Sequence, residues 1–367
     1  MTVIRVYDGA GNVIRAVVVY FRRVSNIRKN IRRQTIMKTR SQSNTLGTKT
    51  HSSYKKSARL ILSAGLAAGV TILLCTLTNN HVAAEPMNAC RLTADTVLRS
   101  CRGAAQSDYQ LALAKCDNLS DPAARDCREQ ASADLQDARQ GCREQHDVRQ
   151  AACERLGGGP YDPVINPSNF VARVDNPYFP LTPGTTFVYE GHTAQGFEHD
   201  EFAVTHNTRV ILDVTCVEVH DTVTLDGELA EDTLDWFAQD REGNVWYFGE
   251  NTHELEDGLI STIEGTFMAG VNGDKPGIIM KAHPAIGDFY RQEFSLANAE
   301  DFAETVGLTA SVTVPAGTFH NCLKSKETTP LEPDLLEYKF YAPGVGNVLT
   351  VDAVTGDREE LVQIRHQ

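Results

Sequence analysis

The sequence predicts an α+β protein: a disulfide-laddered α-helical hairpin followed by a curved antiparallel β-sheet domain, half-barrel or sandwich-like. Two observations carry this prediction. Six cysteines recur at gaps of 11, 15, 11, 15 and 11 residues in a segment rich in helix-favouring residues. Beyond that segment, apolar and polar residues alternate in short runs separated by turn signals, which is typical of antiparallel strands.

The first 84 residues differ sharply in charge from the rest of the chain. They contain fourteen Lys and Arg and a single acid, although the whole chain carries a net charge of −13. Lys55, Lys56 and Arg59 precede an uncharged apolar run over residues 60–77. A basic region before such a run is typical of an export signal.

Small residues up to Ala84 predict cleavage there, so we expect a signal peptide over residues 37–84 and a periplasmic or extracellular protein. Residues 1–36 are interpreted as an extension ahead of the true start of the gene. The apolar run has 18 residues, at the lower limit for a bilayer span, so an uncleaved membrane anchor stays open as the alternative.

The cysteine spacing predicts a hairpin over residues 85–156. A gap of 11 residues is about 16 Å of helix rise, whereas a disulfide needs Cα atoms within about 7 Å, so each partner must lie on a second helix. The chain breaks at residues 117–122, where Ser120 or Asp121 could cap the second helix, with Pro122 at its first position. Folding there pairs the cysteines in a nested order: Cys90 with Cys153, Cys101 with Cys142, and Cys116 with Cys127.

Metal or redox chemistry at these cysteines is the alternative, but no C-x-x-C pair occurs and the spacing matches no zinc motif. Residues 157–183 are rich in Pro, Gly and Asn and predict a linker, followed by an acidic antiparallel β domain over residues 184–367. Within that domain we expect one short helix over residues 297–304. Cys216 and Cys322 each fall in a predicted strand, and we expect a disulfide between them.

Four motifs carry a resemblance to known proteins. They are residues 175–187 (DNPYFPLTPGTTF), 235–240 (DWFAQD), 243–250 (GNVWYFGE) and 341–346 (YAPGVG). Together with the cysteine ladder, they resemble a group of bacterial exported proteins of unknown function. The resemblance implies export and a two-part layout, and it implies no activity. Residues 314–319 are more loosely similar to half-barrels of the periplasmic lipoprotein-carrier type, as an analogy of fold.

A predicted β-hairpin holds the first candidate site. A two-residue turn at Glu242 and Gly243 would place three pairs opposite each other: Asp235 and Glu250, Phe237 and Phe248, Gln239 and Trp246. Like charges directly opposite are unfavourable unless both side chains point into solvent or a cation lies between them. Both interpretations stay open, and a glycine bulge at the turn would shift the register by one residue.

Aromatic and charged residues in the middle of the domain extend this candidate site. We expect Asp235, Glu250, Trp246, Tyr290, Arg291 and Glu293 to contribute to a ligand or cation site. The aromatic residues could alternatively form only the core. A curved sheet lined in this way could hold an apolar or sugar-like ligand.

The sequence lacks the common catalytic motifs, including G-x-S-x-G, H-E-x-x-H and nucleotide-binding loops. We therefore expect a non-enzymatic binding or envelope-associated protein with no catalytic residue assigned. Two alternatives are a secreted hydrolase using paired carboxylates and a structural surface protein with a helical stalk. No cofactor is predicted, although a divalent cation could bind at a metal site of unknown ligands.

Charge also bears on the partners. Residues 156–367 hold 35 acids against 11 Lys and Arg. Such a field repels nucleic acid and anionic membranes and attracts cations. We expect a small molecule, a cation or an envelope partner, no nucleic acid, and membrane contact only through an uncleaved anchor.

Overall fold

A computed structural model describes residues 2–7, 13–19 and 88–366. Strands β1 (Thr2–Tyr7) and β2 (Val13–Val19) pair antiparallel as a ribbon. The predicted signal peptide lies outside the described residues, as does most of the extension predicted ahead of it. No helix within residues 88–366 combines the length and the apolar composition needed to cross a lipid bilayer.

Two long antiparallel helices, α1 (Ala89–Cys116) and α2 (Ala123–Leu156), form the predicted hairpin. The Asn88 side chain caps α1 by accepting a hydrogen bond from the backbone N–H of Arg91. Gly157 caps the C-terminal end of α2 with a φ of 82°, a conformation that favours glycine. All three predicted disulfides of the ladder are confirmed, with Cα–Cα distances of 5.6, 5.8 and 5.6 Å: Cys90–Cys153, Cys101–Cys142 and Cys116–Cys127.

The turn between the helices differs from the prediction in one detail. Pro122, and not Ser120 or Asp121, occupies the N-cap position of α2, and no side chain caps this end. Backbone carbonyls instead accept hydrogen bonds from the first N–H groups of α2. The N–H of Ala124 donates to the Ser120 carbonyl, and the N–H of Asp126 donates to the Pro122 carbonyl. A side-chain cap is therefore not needed at this helix start.

The rest of the chain forms short pairings and one large antiparallel sheet of sixteen strands. The strands are β3 (Phe170–Val171), β4 (Val174–Asn176), β5 (Phe179–Leu181), β6 (Thr185–His192), β7 (Phe197–Ile211), β8 (Val214–Leu225), β9 (Glu228–Asp240), β10 (Val245–Glu256), β11 (Leu259–Thr262), β12 (Phe267–Met268), β13 (Lys275–Met280), β14 (Phe289–Arg291), β15 (Glu293–Phe294), β16 (Phe302–Val314), β17 (Gly317–Thr328), β18 (Glu337–Ala342), β19 (Gly346–Asp352) and β20 (Arg358–His366). Their main order is β14-β16-β17-β18-β19-β20-β6-β7-β8-β9-β10-β13-β15, and β3, β11 and β12 pair beside it.

One short segment joins the two ends of this sheet. Strand β14 pairs with β16 at one end, and β15 pairs with β13 at the other. Only Gln292 separates β14 from β15 in the chain, and its N–H donates to the carbonyl of Asp301. We call residues 289–294 the seam. Because the seam belongs to both edges, the sheet is nearly barrel-shaped, and the predicted α+β fold with a curved β domain is confirmed.

The two faces of the sheet pack separately. An inner core gathers apolar side chains from strands all around the sheet, including Tyr189, Val219, Phe237, Tyr247, Leu323 and Leu361. An outer cluster on the other face contains Ile211, Val214, Cys216, Trp236, Ala238 and Phe248. Successive residues of a strand point to opposite faces, so neighbours such as Trp236 and Phe237 belong to different clusters.

The predicted disulfide between Cys216 and Cys322 is wrong. Both are buried free thiols. They lie on β8 and β17, which are not neighbours in the sheet, and Cys322 belongs to the inner core whereas Cys216 belongs to the outer cluster. Burial raises the pKa of the Cys216 thiol to about 12. Two thiols on opposite faces of a sheet cannot form a bond.

The predicted helix over residues 297–304 is also wrong. Ser295 and Ala299 form an isolated bridge around a tight turn in which Ala297 has a φ of 62°, and β16 begins at Phe302. The Glu300 carboxylate accepts the N–H of Ala297 at 2.7 Å and so fixes the turn. Pairing of β16 with its neighbours therefore overrides the local helical preference.

The predicted linker, residues 157–183, includes strands of the β domain. Strand β3 pairs with β9, and β4 pairs with β5. The Gln239 side chain accepts hydrogen bonds from the backbone N–H groups of Asp175 and Asn176. This segment therefore packs against the sheet.

The base of the hairpin docks on the sheet beside the seam. Arg149 of α2 forms a buried ion pair with Glu300, with Nη2 and Oε1 2.6 Å apart. Arg155 pairs with Glu304 at 2.6 Å and stacks over the ring of Phe289, 4.0 Å from its centroid. Loss of one partner should destabilise the protein more at the Arg149–Glu300 pair, since both of its side chains are almost fully buried.

We expect Arg149→Met to destabilise the protein strongly, because it leaves the Glu300 carboxylate buried without its counter-charge. Breaking a buried pair in this way costs about 3–5 kcal/mol of unfolding free energy, which urea denaturation measures. The matched control is Arg155→Met, which breaks a half-exposed pair and should cost about 1 kcal/mol. Adding Glu300→Gln to Arg149→Met should recover part of the loss. Equal losses for the two arginine variants would contradict the docking role of Arg149.

Candidate functional site

The β9–β10 hairpin places Asp235 directly opposite Glu250, as the sequence predicts. The other two predicted pairs are wrong, because Phe237 lies opposite Tyr247 and Gln239 opposite Val245. Two departures from the predicted hairpin shift the strand register in opposite directions, so their effects cancel at Glu250. The turn is wider than two residues, and a bulge between Tyr247 and Gly249 restores the register before Glu250 is reached.

The residues at both deviations explain them. At the turn, the Asp240 carboxylate accepts the backbone N–H groups of Glu242 and Asn244, at 3.0 and 2.9 Å. At the bulge, Gly249 has a φ of 153°, and a Cβ there would lie 2.5 Å from the Phe267 carbonyl oxygen. Only glycine fits between β10 and β12 at this position.

A tyrosine joins the two opposed carboxyl groups. The Tyr247 hydroxyl contacts Asp235 Oδ1 and lies 3.0 Å from Glu250 Oε2. A phenol has a single proton to donate, so hydrogen bonds to both carboxyls require a proton on one of them. In accord with this, burial and the neighbouring Glu250 raise the pKa of Asp235 well above its usual value, and burial raises the pKa of Glu250 to about 7.

Further carboxyl groups continue from this pair toward the seam. Burial, followed by the charge of Asp301, raises the pKa of Glu293 well above its usual value. Burial raises the pKa of Asp301 to about 6, although the residue keeps an exposed surface. Glu293 and Asp301 therefore extend the group of acids with raised pKa values as far as the seam.

On the other side of the pair, carboxyl groups continue along β8 and β7. Burial raises the pKa of Asp221 on β8 to about 6. Burial, followed by Asp221 and then Glu359, raises the pKa of Asp200 on β7 well above its usual value. The two carboxyl groups also hydrogen-bond to each other, which raises the pKa of Asp200 and lowers that of Asp221.

One lysine lies among these acids. Lys339 on β18 has its Nζ 3.2 Å from Glu327 and 3.8 Å from Glu337. Glu327 also accepts hydrogen bonds from the hydroxyls of Ser325 and Tyr341, at 2.7 and 3.1 Å. The charge of Glu327 is the main reason that the pKa of Lys339 is raised.

The charge of Glu231 on β9 also acts on Asp221, Asp235 and Glu250. Together these groups form what we call the carboxyl ring: Asp200, Asp221, Glu231, Asp235, Glu250, Glu293, Asp301, Glu327, Glu337 and Glu359. Alternation places the ring on the inner face. Asp235 lies two residues from Phe237 of the inner core, Asp221 two residues from Val219, and Glu359 two residues from Leu361. The inner face thus carries an apolar core along one part of its strands and carboxyl groups along the other.

The structure separates the six predicted site residues into two groups. Asp235, Glu250 and Glu293 lie together in the carboxyl ring. Tyr290 is on the same face, where burial and, after it, the charge of Glu327 raise its pKa.

The other two lie on the outer face. Trp246 donates its indole N–H to Asp240 and packs beside the outer cluster. Arg291 lies against Cys90 of the hairpin and over the rings of Phe294 and Phe302. Neither can therefore join the predicted site.

Most of the ring was missed by reasoning from the sequence. A signal for it exists, because an acid follows apolar residues at every second position in several strands. Val204, Phe202 and Asp200 on β7 show this pattern. The sequence does not show which strands face one another across a curved sheet, so it does not show which of these acids become neighbours.

Among the described residues, no group of three or more His, Cys, Asp or Glu side chains is arranged to hold a metal ion. No protein-family model matches the chain, and no curated protein matches it. A crystal structure of a "putative lipoprotein" from Parabacteroides distasonis is similar at a TM-score of 0.26 and 19% identity, covering 51% of this chain and 98% of that one. At this TM-score the likeness supports no inference about function.

The raised pKa values predict a pH-dependent stability. A carboxyl with a higher pKa in the folded state binds more protons when folded, so the free energy of unfolding falls as pH rises between the two pKa values. For Glu250 this window runs from 4.5 to about 7. We expect Glu250→Gln to stabilise the protein at pH 8 by on the order of 1–3 kcal/mol, and to have little effect near pH 5.

Urea denaturation across this pH range measures the effect. Glu242→Gln is the matched control, because Glu242 is an exposed carboxyl at the β9–β10 turn, outside the ring. Its difference from the natural chain should not vary with pH. A Glu250→Gln variant that is destabilised equally at pH 5 and pH 8 would show that Glu250 carries no buried charge.

Proposed function

We propose that this chain is an exported, non-enzymatic binding protein whose carboxyl ring holds a small cationic ligand. The observation that carries the proposal is the concentration of ten carboxyl groups on the inner face of one curved sheet, with Lys339 as the lysine among them. Burying like charges together raises the free energy of the folded protein. A bound cation would offset this cost, because an opposite charge favours the ionised form of each carboxyl.

Export is supported by the ladder of three disulfides, since disulfides persist in oxidising compartments. The excess of acids in residues 156–367 supports a cationic ligand independently, because a field of one sign raises the local concentration of oppositely charged molecules. We propose an envelope location, periplasmic or extracellular, as the sequence indicates. A divalent cation and an organic amine are both ligands of this class.

The proposal predicts that a cation binds at the ring and releases protons. We expect saturable heat by calorimetry at pH 6.5 with an organic amine or with Ca²⁺. We also expect the measured enthalpy to change with the ionisation enthalpy of the buffer. Protons leave because the cation stabilises carboxylates whose pKa values lie near or above this pH, such as Glu250 at about 7.

The double variant Asp235→Asn with Glu250→Gln should weaken cation binding at least about tenfold, because it removes two charge-assisted contacts. Glu242→Gln should bind as the natural chain does. If no amine and no divalent cation produces a saturable signal, the proposed function is wrong.

One observation favours a second candidate, a secreted hydrolase. Asp235 and Glu250 both contact the Tyr247 hydroxyl, and their carboxyls have raised pKa values. A carboxylic acid that keeps its proton near neutral pH beside a second carboxyl is the arrangement with which glycosidases cleave a sugar bond. In such a hydrolase Glu250, which is more exposed than Asp235, would donate the proton to the sugar bond.

This second candidate predicts turnover of a chromogenic glycoside that Asp235→Asn and Glu250→Gln each reduce at least about 100-fold, since acid–base catalysis contributes a factor of about 10²–10⁴. Circular dichroism would show that both variants remain folded. Unchanged turnover in either variant would remove the pair from catalysis.

A further inference from the structure

Strand β11 lies at the end of a hairpin that its own sequence specifies. Asp257 and Gly258 have φ values of 52° and 72°, and an Asp-Gly pair in this conformation forms a two-residue hairpin turn. The turn folds β11 back onto β10, so that Ile260 lies opposite Leu255. The edge of β11 that faces away from β10 is called its outer edge below.

The outer edge of β11 has no strand beside it. Among the strands of the described chain, β11 pairs only with β10. An edge strand presents a row of backbone N–H and C=O groups to which a further strand can bind, and natural proteins commonly block such edges with Lys or Pro. Residues 256–264 contain neither of these residues. The outer edge is therefore open to the addition of a strand.

The side chains of β11 are exposed on both faces of the sheet. Leu259 is 72% exposed and Ile260 is 60% exposed. Consecutive residues of a strand point to opposite faces, so apolar surface meets solvent on each side of this strand. Ile263, directly after the strand, is 39% exposed. Adjacent exposed apolar side chains are typical of a surface that binds another molecule.

Acidic residues lie on both sides of this apolar segment. Glu256 and Asp257 precede it and Glu264 follows it, and all three are exposed. A second copy of the chain, paired antiparallel about the middle of β11, would place Asp257 opposite Glu264 at both ends of the pairing. Like charges directly opposite each other are destabilising. The charges therefore favour a basic partner over a second copy.

We propose that the outer edge of β11 binds an extended segment of another protein, apolar in its middle and basic at both ends, which adds to the sheet as a further strand. Backbone hydrogen bonds would hold the segment, and its alternating side chains would pack beside Leu259 on one face and Ile260 on the other. Its basic ends would lie near Asp257 and Glu264. This surface uses no residue of the carboxyl ring, so the inference is independent of the proposed cation site.

Fluorescence anisotropy on the full chain at physiological salt tests the inference with three labelled peptides of equal length. The first has a Val-Thr-Val-Thr-Val centre with two lysines at each end, and we expect it to bind saturably. The second has glutamates in place of the lysines and should bind at least about tenfold more weakly, because its charges repel the acids beside β11. The third keeps the lysines but has proline at its centre. It should also bind at least about tenfold more weakly, because proline cannot donate to the ladder.

Variants of the chain locate the binding site. Ile260→Lys should weaken binding of the first peptide at least about tenfold, because it places a like charge in the docking surface. Val354→Lys is the matched control, since Val354 is 61% exposed in a turn outside the strands. It should bind the peptide as the natural chain does, and so should Asp235→Asn with Glu250→Gln. Leu259→Lys provides the same comparison if Ile260→Lys does not fold.

Hydrogen exchange gives a direct readout, because the bound peptide should slow exchange of the backbone amides in residues 259–263. Equal binding of the proline peptide would show that charge alone attracts the lysines, and it would overturn the proposal. Loss of binding in the Asp235 and Glu250 double variant would place the peptide in the carboxyl ring and would overturn it as well. A dimer of the chain alone in sedimentation, lost in Ile260→Lys, would make a second copy the occupant instead.

Discussion

The alternation of side chains across one curved sheet is the constraint on which the rest of the structure depends. A strand sends every second residue to each face, and a sheet that nearly closes turns one of those faces inward. An acid two residues along from an inner-core position therefore cannot escape to solvent by rotating outward. The inner core, the outer cluster and the carboxyl ring all follow from this alternation of side chains. The pairing of the strands then decides which acids become neighbours.

This arrangement costs stability, and the compensation lies elsewhere in the chain. Three disulfides stiffen the hairpin, and each contributes about 2–4 kcal/mol by restricting the unfolded chain. The base of the hairpin then fixes the region beside the seam through Arg149 and Glu300. Because the seam joins the two edges of the sheet, holding its neighbourhood in place keeps the carboxyl groups on opposite sides at a fixed separation. The hairpin thus stabilises the sheet without contributing any residue to the ring.

The disulfide ladder could be predicted from the sequence because helix rise and disulfide reach are both fixed lengths, and one pairing satisfied them three times. The Asp235–Glu250 pair was also predicted, but only because a wider turn and the bulge before Gly249 shift the register in opposite senses. Long-range topology was not accessible in this way. The separation of Cys216 from Cys322, the strand at residues 302–314 and the convergence of Asp200 with Glu359 all depend on which strands pair across the sheet, and no local pattern encodes that.

If the carboxyl ring had only a structural role, the presence of acids on the inner face would need a separate explanation. Threonine, serine or asparagine would fill the same positions with no charge to bury, and several inner positions, such as Thr305 and Ser325, do carry such residues. The inner face therefore accommodates neutral polar side chains at positions near the ring. Strained or destabilised groups that persist in a fold are expected at functional sites, where the cost is offset by binding. The acids of the ring are such groups, since burial raises the pKa values of Asp235, Glu250 and Glu293, and the cationic ligand proposed above would offset their cost.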